Sequence, residues 1–177
     1  MVDQKIIDFI NKLQVGDTIC FKPENIGGSV LAYGGKYCHT AKVVAIDKVN
    51  NIVWIIESHL DHDGVKKLHF DFKYIDHVDV RRYIIGLSNE EKIKQVEWLE
   101  SKIDKKYGLR DFLPTIWHLL FGKREKHDRN NINNEWYCSE LTAGADKSCG
   151  IDAIKKVNYH NVIPSDYGWK NSNYFIV

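Results

Sequence analysis

Apolar residues recur at Ile6, Ile7, Phe9, Ile10 and Leu13, and the pattern is broken at Gly16-Asp17. That near-helical spacing predicts a short helix from about residue 3 to residue 13. Thr18 to Phe21 then reads as a strand, and residues 23 to 35, with four glycines, as a loop. From Thr40 to Ile46 and from Ile52 to Glu57 the chain is rich in β-branched and aromatic residues, with Asp47 to Asn51 as turn material between them. This is the signature of a β-hairpin. Val65 to Phe70 and Val78 to Ile85 continue the same character, which predicts an antiparallel sheet of roughly four or five strands.

Beyond the sheet the period changes. Ser88-Asn89-Glu90-Glu91 fits a capping box, in which the serine hydroxyl accepts from the Glu91 backbone and the glutamate reaches back. A helix to about Ile103 should follow, with Ile93, Val96, Leu99 and Ile103 facing inward. Phe112 to Phe121 predicts a further helical stretch starting near Pro114, and the charged, asparagine-rich residues 123 to 135 an exposed loop. Tyr137 to Cys149 places Cys138, Leu141, Thr142, Ala145 and Cys149 on one helical face and stops at Gly150. An antiparallel sheet with helices before and after it describes an α+β protein, expected to form a single domain over residues 1–177.

Composition narrows the function. Lysine plus arginine (25) almost cancels aspartate plus glutamate (24), without a long run of one sign, so there is no footprint for nucleic acid or an anionic membrane. Asp3, Lys5 and Asp8 interrupt the apolar N-terminus where an export signal would need continuity, and no apolar run is long enough to span a bilayer. A cytoplasmic location is the expectation. The four cysteines, Cys20, Cys38, Cys138 and Cys149, form no CxxC pair and no disulfide framework. Each is then either core filler or a nucleophile.

Cys138 stands at the predicted start of a helix, where unpaired backbone N–H groups and the positive dipole end favour a thiolate. The same N–H groups are placed to bind an oxyanion. His39, where the glycine-rich loop passes into a strand, is a candidate base for that thiol. Glu57, near the end of the facing hairpin strand, is a candidate to orient the imidazole, with His59 and Asp61 as alternatives. Cys38 is a rival nucleophile that strand alternation should turn away from the His39 ring.

The ordered segments Gly16-Asp17, Tyr37-Cys38-His39-Thr40-Ala41, Ile56-Glu57-Ser58, Val80-Arg81, Tyr107-Gly108, Asp111-Phe112, Tyr137-Cys138-Ser139-Glu140-Leu141 and Pro164-Ser165-Asp166 carry a family likeness. The chain resembles the circularly permuted papain-fold amidases of the YiiX/YaeF type, relatives of the NlpC-type peptidases and of lecithin:retinol acyltransferase. The resemblance implies a papain-like antiparallel sheet or partial barrel packed against helices. It also implies a histidine that precedes the cysteine, with His39 as base, Glu57 as orienting acid and Cys138 as nucleophile. No cofactor or metal enters that chemistry. The implied reaction is cysteine-dependent hydrolysis, or acyl transfer, of a small peptide, amide or lipid-like acyl substrate through an acyl-enzyme.

Tyr37, Tyr137 and Arg81 are candidates for contact with the substrate, while Trp117, Phe121, Trp136, Tyr167 and Trp169 would either line an acyl cleft or fill the core. Two readings from other classes compete. His59-Leu60-Asp61-His62-Asp63 is a dense set of possible metal ligands, though it lacks a further ligand cluster at recognisable spacing. A papain-like cleft could also serve as a catalytically silent binding module.

Overall fold

A computed structural model describes residues 3–24, 35–108, 134–155, 157–168 and 172–177. Among the described residues six antiparallel strands form one sheet: β1 (Thr18–Phe21), β2 (His39–Asp47), β3 (Ile52–His59), β4 (Gly64–His69), β5 (Val78–Tyr83) and β6 (Tyr174–Ile176), in the spatial order β4-β3-β2-β1-β5-β6. With them go α1 (Gln4–Lys12), α2 (Asn89–Glu100) and α3 (Cys138–Ser148), together with short 3₁₀ turns. The architecture is α+β.

Strand alternation sorts the core onto two faces. Ala41, Val43, Val53 and Ile55 pack with Ile10 and Leu13 at the end of α1. Val44 and Ile56 pack with Val65, Leu99, Trp136, Leu141 and Ala145, so α3 lies on the opposite side of the sheet from α1. A register shift between Val43 and Ala45 resets the alternation beyond Val44, so that Ile46 rejoins Val43 on the α1 side. Gly144, in the middle of α3, has the Trp98 indole of α2 against it; a Cβ there would lie 2.6 Å from a ring carbon. A glycine is what lets the two helices approach.

The predicted capping box is present. Glu91 N–H donates to Ser88 Oγ, and the Glu91 carboxylate accepts from Ser88 N–H at 2.7 Å. The inward face of α2 differs from expectation. Ile93 is exposed, and Gln95 is buried in its place with its amide donating to Asp146 at 2.8 Å. A buried carboxylate needs donors more than it needs an apolar neighbour, and Gln95 supplies one.

The strand predicted from Val78 to Ile85 ends at Tyr83, leaving Ile84 and Ile85 exposed. The three-residue β6 was not foreseen. The expected 23–35 loop largely, and the expected helix at 112–121 with most of the 123–135 loop, fall outside the described residues. Trp136 and Tyr167 are core residues, whereas Trp117, Phe121 and Trp169 also lie outside what is described. Among the described residues no helix is long and apolar enough to cross a membrane.

Candidate active site

The helix that starts at Cys138 is held from two sides. On the sheet side, Lys42 of β2 is fully buried and donates to Asp146 (2.6 Å), to the Gly16 carbonyl (3.0 Å) and to the Tyr174 hydroxyl (3.0 Å). Thr40 and Thr142 join hydroxyls at 3.2 Å. On the other side, the segment 160–162 clamps the helix start. Tyr137 donates its hydroxyl to the His160 carbonyl, Ser139 donates to the Val162 carbonyl at 2.7 Å, and His160 Nδ1 meets Glu140 at 2.5 Å. The first turn of α3 therefore has a fixed position over the beginning of β2.

That position brings Cys138 to His39. The thiol and the imidazole are close enough for each to move the other's pKa, and the backbone N–H groups of Thr40 and Ser139 favour the charged sulfur. Glu57 lies behind the ring, its Oε2 at 2.8 Å from His39 Nε2. With Nε2 turned to the carboxylate, Nδ1 is the nitrogen left for the sulfur. Register explains the meeting of His39 and Glu57: Ala41 pairs with Glu57, so His39, two residues earlier on β2, shares its face diagonally. The three side chains are largely sequestered, with Cys138 2% exposed, His39 13% and Glu57 12%.

Burial by itself would push the His39 pKa down. The adjacent sulfur and the Glu57 carboxylate, through charge and hydrogen bonding, outweigh burial and bring it up to about 10. Burial likewise opposes a Cys138 thiolate, yet the His39 charge and hydrogen bond, with the two backbone donors, leave the thiol pKa below its ordinary value. Each charge favours the other, so the pair leans toward thiolate and imidazolium. Glu57 follows the same logic: burial favours its neutral acid, but His39, His59 and His62 hold its pKa below the usual carboxyl range.

The other three thiols go the opposite way. Burial raises Cys20 well above the ordinary value, Cys38 to about 11 and Cys149 upward. Cys38, the rival nucleophile, directs its thiol to the Phe21 carbonyl at 3.5 Å.

Tyr37, Arg81 and Tyr137 are not brought to the reacting groups by any contact seen here; they point into the interior. Tyr37 donates its hydroxyl to Asp79 at 2.6 Å and accepts from Arg81 Nε and Nη2 at 3.0 and 2.7 Å. Tyr37 and Tyr137 have no exposed surface and Arg81 very little, so direct contact with a substrate gives way to a framework role. Of the alternative orienters, His59 lies edge-on to His39 with ring centroids 5.0 Å apart, and its Nδ1 accepts from the Asp61 backbone. Neither His59 nor Asp61 replaces Glu57.

Two neighbours had been given no part in the triad from the sequence. His62 Nε2 stands 3.6 Å from Glu57 Oε1, and Tyr107 lies near enough to Cys138 that the sulfur's charge, after burial, helps keep the phenol protonated. The His62 signal was present in the His-Leu-Asp-His run, but its partner depended on the 3₁₀ turn at Leu60–His62.

Solved structures supply the outside comparison. One matching chain is the metalloprotein yiiX of Escherichia coli O157:H7, at 20% identity and a TM-score of 0.54, covering 80% of this chain and 69% of that one. The fold is yiiX-like. No family model matches the sequence, and no curated protein is significantly similar to it. The likeness to yiiX thus resides in the backbone, which is the level at which the expected YiiX-type sheet and helices are met.

Proposed function

We propose that the protein is a cysteine-dependent hydrolase of the permuted papain type, with Cys138 as nucleophile, His39 as acid and base, and Glu57 as the group that orients the imidazole. The observation that carries this reading is the meeting of His39 with Cys138 at the start of α3, with Glu57 behind the ring at 2.8 Å. The thiolate would attack an amide, ester or thioester carbonyl of a small peptide, amide or lipid-like acyl compound. The N–H groups around the helix start support the oxyanion, for α3 has no side-chain cap at its N-terminus. His39 then gives its proton to the departing group, and water or another acceptor resolves the thioester with His39 as base.

The structural neighbour yiiX is described as a metalloprotein. In the present chain, no three histidine, cysteine, aspartate or glutamate side chains among the described residues are arranged to hold a metal ion. His59, Asp61 and His62 do not fit that role, and no step is assigned to a metal. The silent-binder alternative is disfavoured by the selective lowering of one thiol out of four.

The test is acylation by an activated ester such as p-nitrophenyl acetate. Peptide mass spectrometry should place the acetyl group on Cys138, and Cys138→Ala should lose both the label and the turnover. Turnover by the alanine variant at the wild-type rate would end the proposal.

A further inference from the structure

A groove of about 460 Å³ opens next to His39. Its apolar floor is made by Phe21, Ile55, Leu68, Phe70 and Tyr74, and its wall includes His39 and Glu57 but not Cys138. The groove therefore lies on the imidazole's side of the site rather than the sulfur's. In an acyl transfer through a cysteine, the proton that releases the leaving group comes from the histidine, so the departing atom must sit within hydrogen-bond reach of that ring. Whatever is attached to the departing atom extends past His39, and an acceptor that later resolves the thioester enters along the same path.

Both lysines on the rim of the groove have carboxylate partners. Lys22 pairs with Asp79 at 2.8 Å, and Lys73 with Asp71 at 2.7 Å. Glu24 faces His77 at 3.4 Å, Asp61 faces His59 at 3.5 Å, and Glu57 is bonded to His39. Those imidazoles match a carboxylate's charge only when protonated, and burial lowers the His59 pKa, so the selection rests on the apolar floor and not on the rim. A charged substituent laid on the aromatic floor would lose hydration without gaining a partner.

We propose that this groove is the leaving-group and acyl-acceptor subsite, selecting an amine or alcohol that bears an uncharged apolar substituent. The proposal rests on the cysteine-hydrolase reading above. In the acceptor step, the neutral amine lone pair forms a bond to the thioester carbonyl carbon and the amine proton passes to His39. The carbon–sulfur bond then breaks, returning the Cys138 thiolate and the His39 imidazolium.

The experiment acetylates the wild-type protein with p-nitrophenyl acetate in the presence of leucinamide, glycinamide or lysinamide, with Cys138→Ala as the blank. The ratio of N-acetylated amide to acetate is measured by mass spectrometry. Burial of one leucine side chain predicts a ratio about tenfold higher for leucinamide than for glycinamide. Lysinamide should do no better than glycinamide. Leu68→Asp should abolish the leucinamide advantage and shift the preference toward lysinamide, and the wild-type comparison stands without that variant. If Cys138 is acetylated but the ratio ignores the acceptor's side chain, or no amide is formed, the subsite is wrong while the nucleophile assignment survives. If Cys138 is never acetylated, the hydrolase reading fails and the subsite falls with it.

Discussion

Glu57 shares its carboxylate between two imidazoles: Oε2 is 2.8 Å from His39 Nε2, and Oε1 is 3.6 Å from His62 Nε2. The closer contact fixes the ring that faces Cys138, so the carboxylate acts on the sulfur through His39. Glu57→Gln keeps the shape but removes the charge that helps hold the proton on His39. The expected result is slower alkylation of Cys138 by iodoacetamide at pH 7, about tenfold for each pKa unit by which the thiol reverts toward its ordinary value. Circular dichroism should be unchanged. An alkylation rate equal to wild type would remove Glu57 from the site.

The pH dependence of the pair separates two activities. The thiolate of Cys138 forms at lower pH than that of the other three thiols, so alkylation of Cys138 should outpace theirs and decline only on acidification. Hydrolysis of an amide also needs the proton on His39, which is lost as pH rises through about 10. Amide turnover should therefore fall on an alkaline limb that alkylation does not share. The stability linkage has the same sign. Because the His39 pKa is raised on folding, the imidazole's contribution is complete below its unfolded value and lost as pH climbs through about 10, whereas the lowered Cys138 pKa contributes above the unfolded thiol value and is lost on acidification. Glu57, with a lowered pKa, contributes above the unfolded carboxyl value and loses its contribution as pH falls through its folded one.

The hairpin, the capping box and the helix start at Cys138 were legible because each depends on residues close together in the chain. Ser88 and Glu91 are three positions apart, and the strand character of Ile52 to Glu57 is local. Register was not legible, since the shift between Val43 and Ala45 decides which residues share a face, and no short-range pattern announces it. Lys42 is the sharpest example. A lysine between Ala41 and Val43 invites a solvent-facing assignment, yet its ammonium is fully buried among groups contributed by residues 16, 146 and 174. Tyr37 and Arg81 were drawn toward the substrate by their neighbourhood in sequence, and Asp79 instead draws Tyr37 into the interior.

That interior cluster makes a prediction about stability rather than binding. Tyr37→Phe leaves the buried Arg81 fork and one Asp79 oxygen without the hydroxyl that joins them. The expected loss is about 1 to 3 kcal/mol in urea unfolding, the cost of leaving buried polar groups short of a partner. The KM for any ester turned over by Cys138 should stay at its wild-type value. A raised KM with unchanged stability would return Tyr37 to the substrate.

Lys42 and Asp146 offer the strongest mechanical test of how the site is held. Their ion pair is inaccessible to water at both ends, and burial pushes the Asp146 pKa up against the Lys42 charge and the donors that lower it. Removing one partner strands the other charge in the core. Lys42→Met should cost about 3 kcal/mol or more. Replacing both, as Lys42→Met with Asp146→Leu, removes the stranded charge and should recover much of that loss, giving a coupling energy well above the few tenths of a kcal/mol expected of independent sites. The double variant should still alkylate Cys138 more slowly than wild type. The apolar substitute carries no directional bonds to seat α3 over β2, so the distance from thiol to imidazole is less sharply defined. Additive losses in the two single variants would mean that Lys42 and Asp146 do not act as a unit in holding the helix.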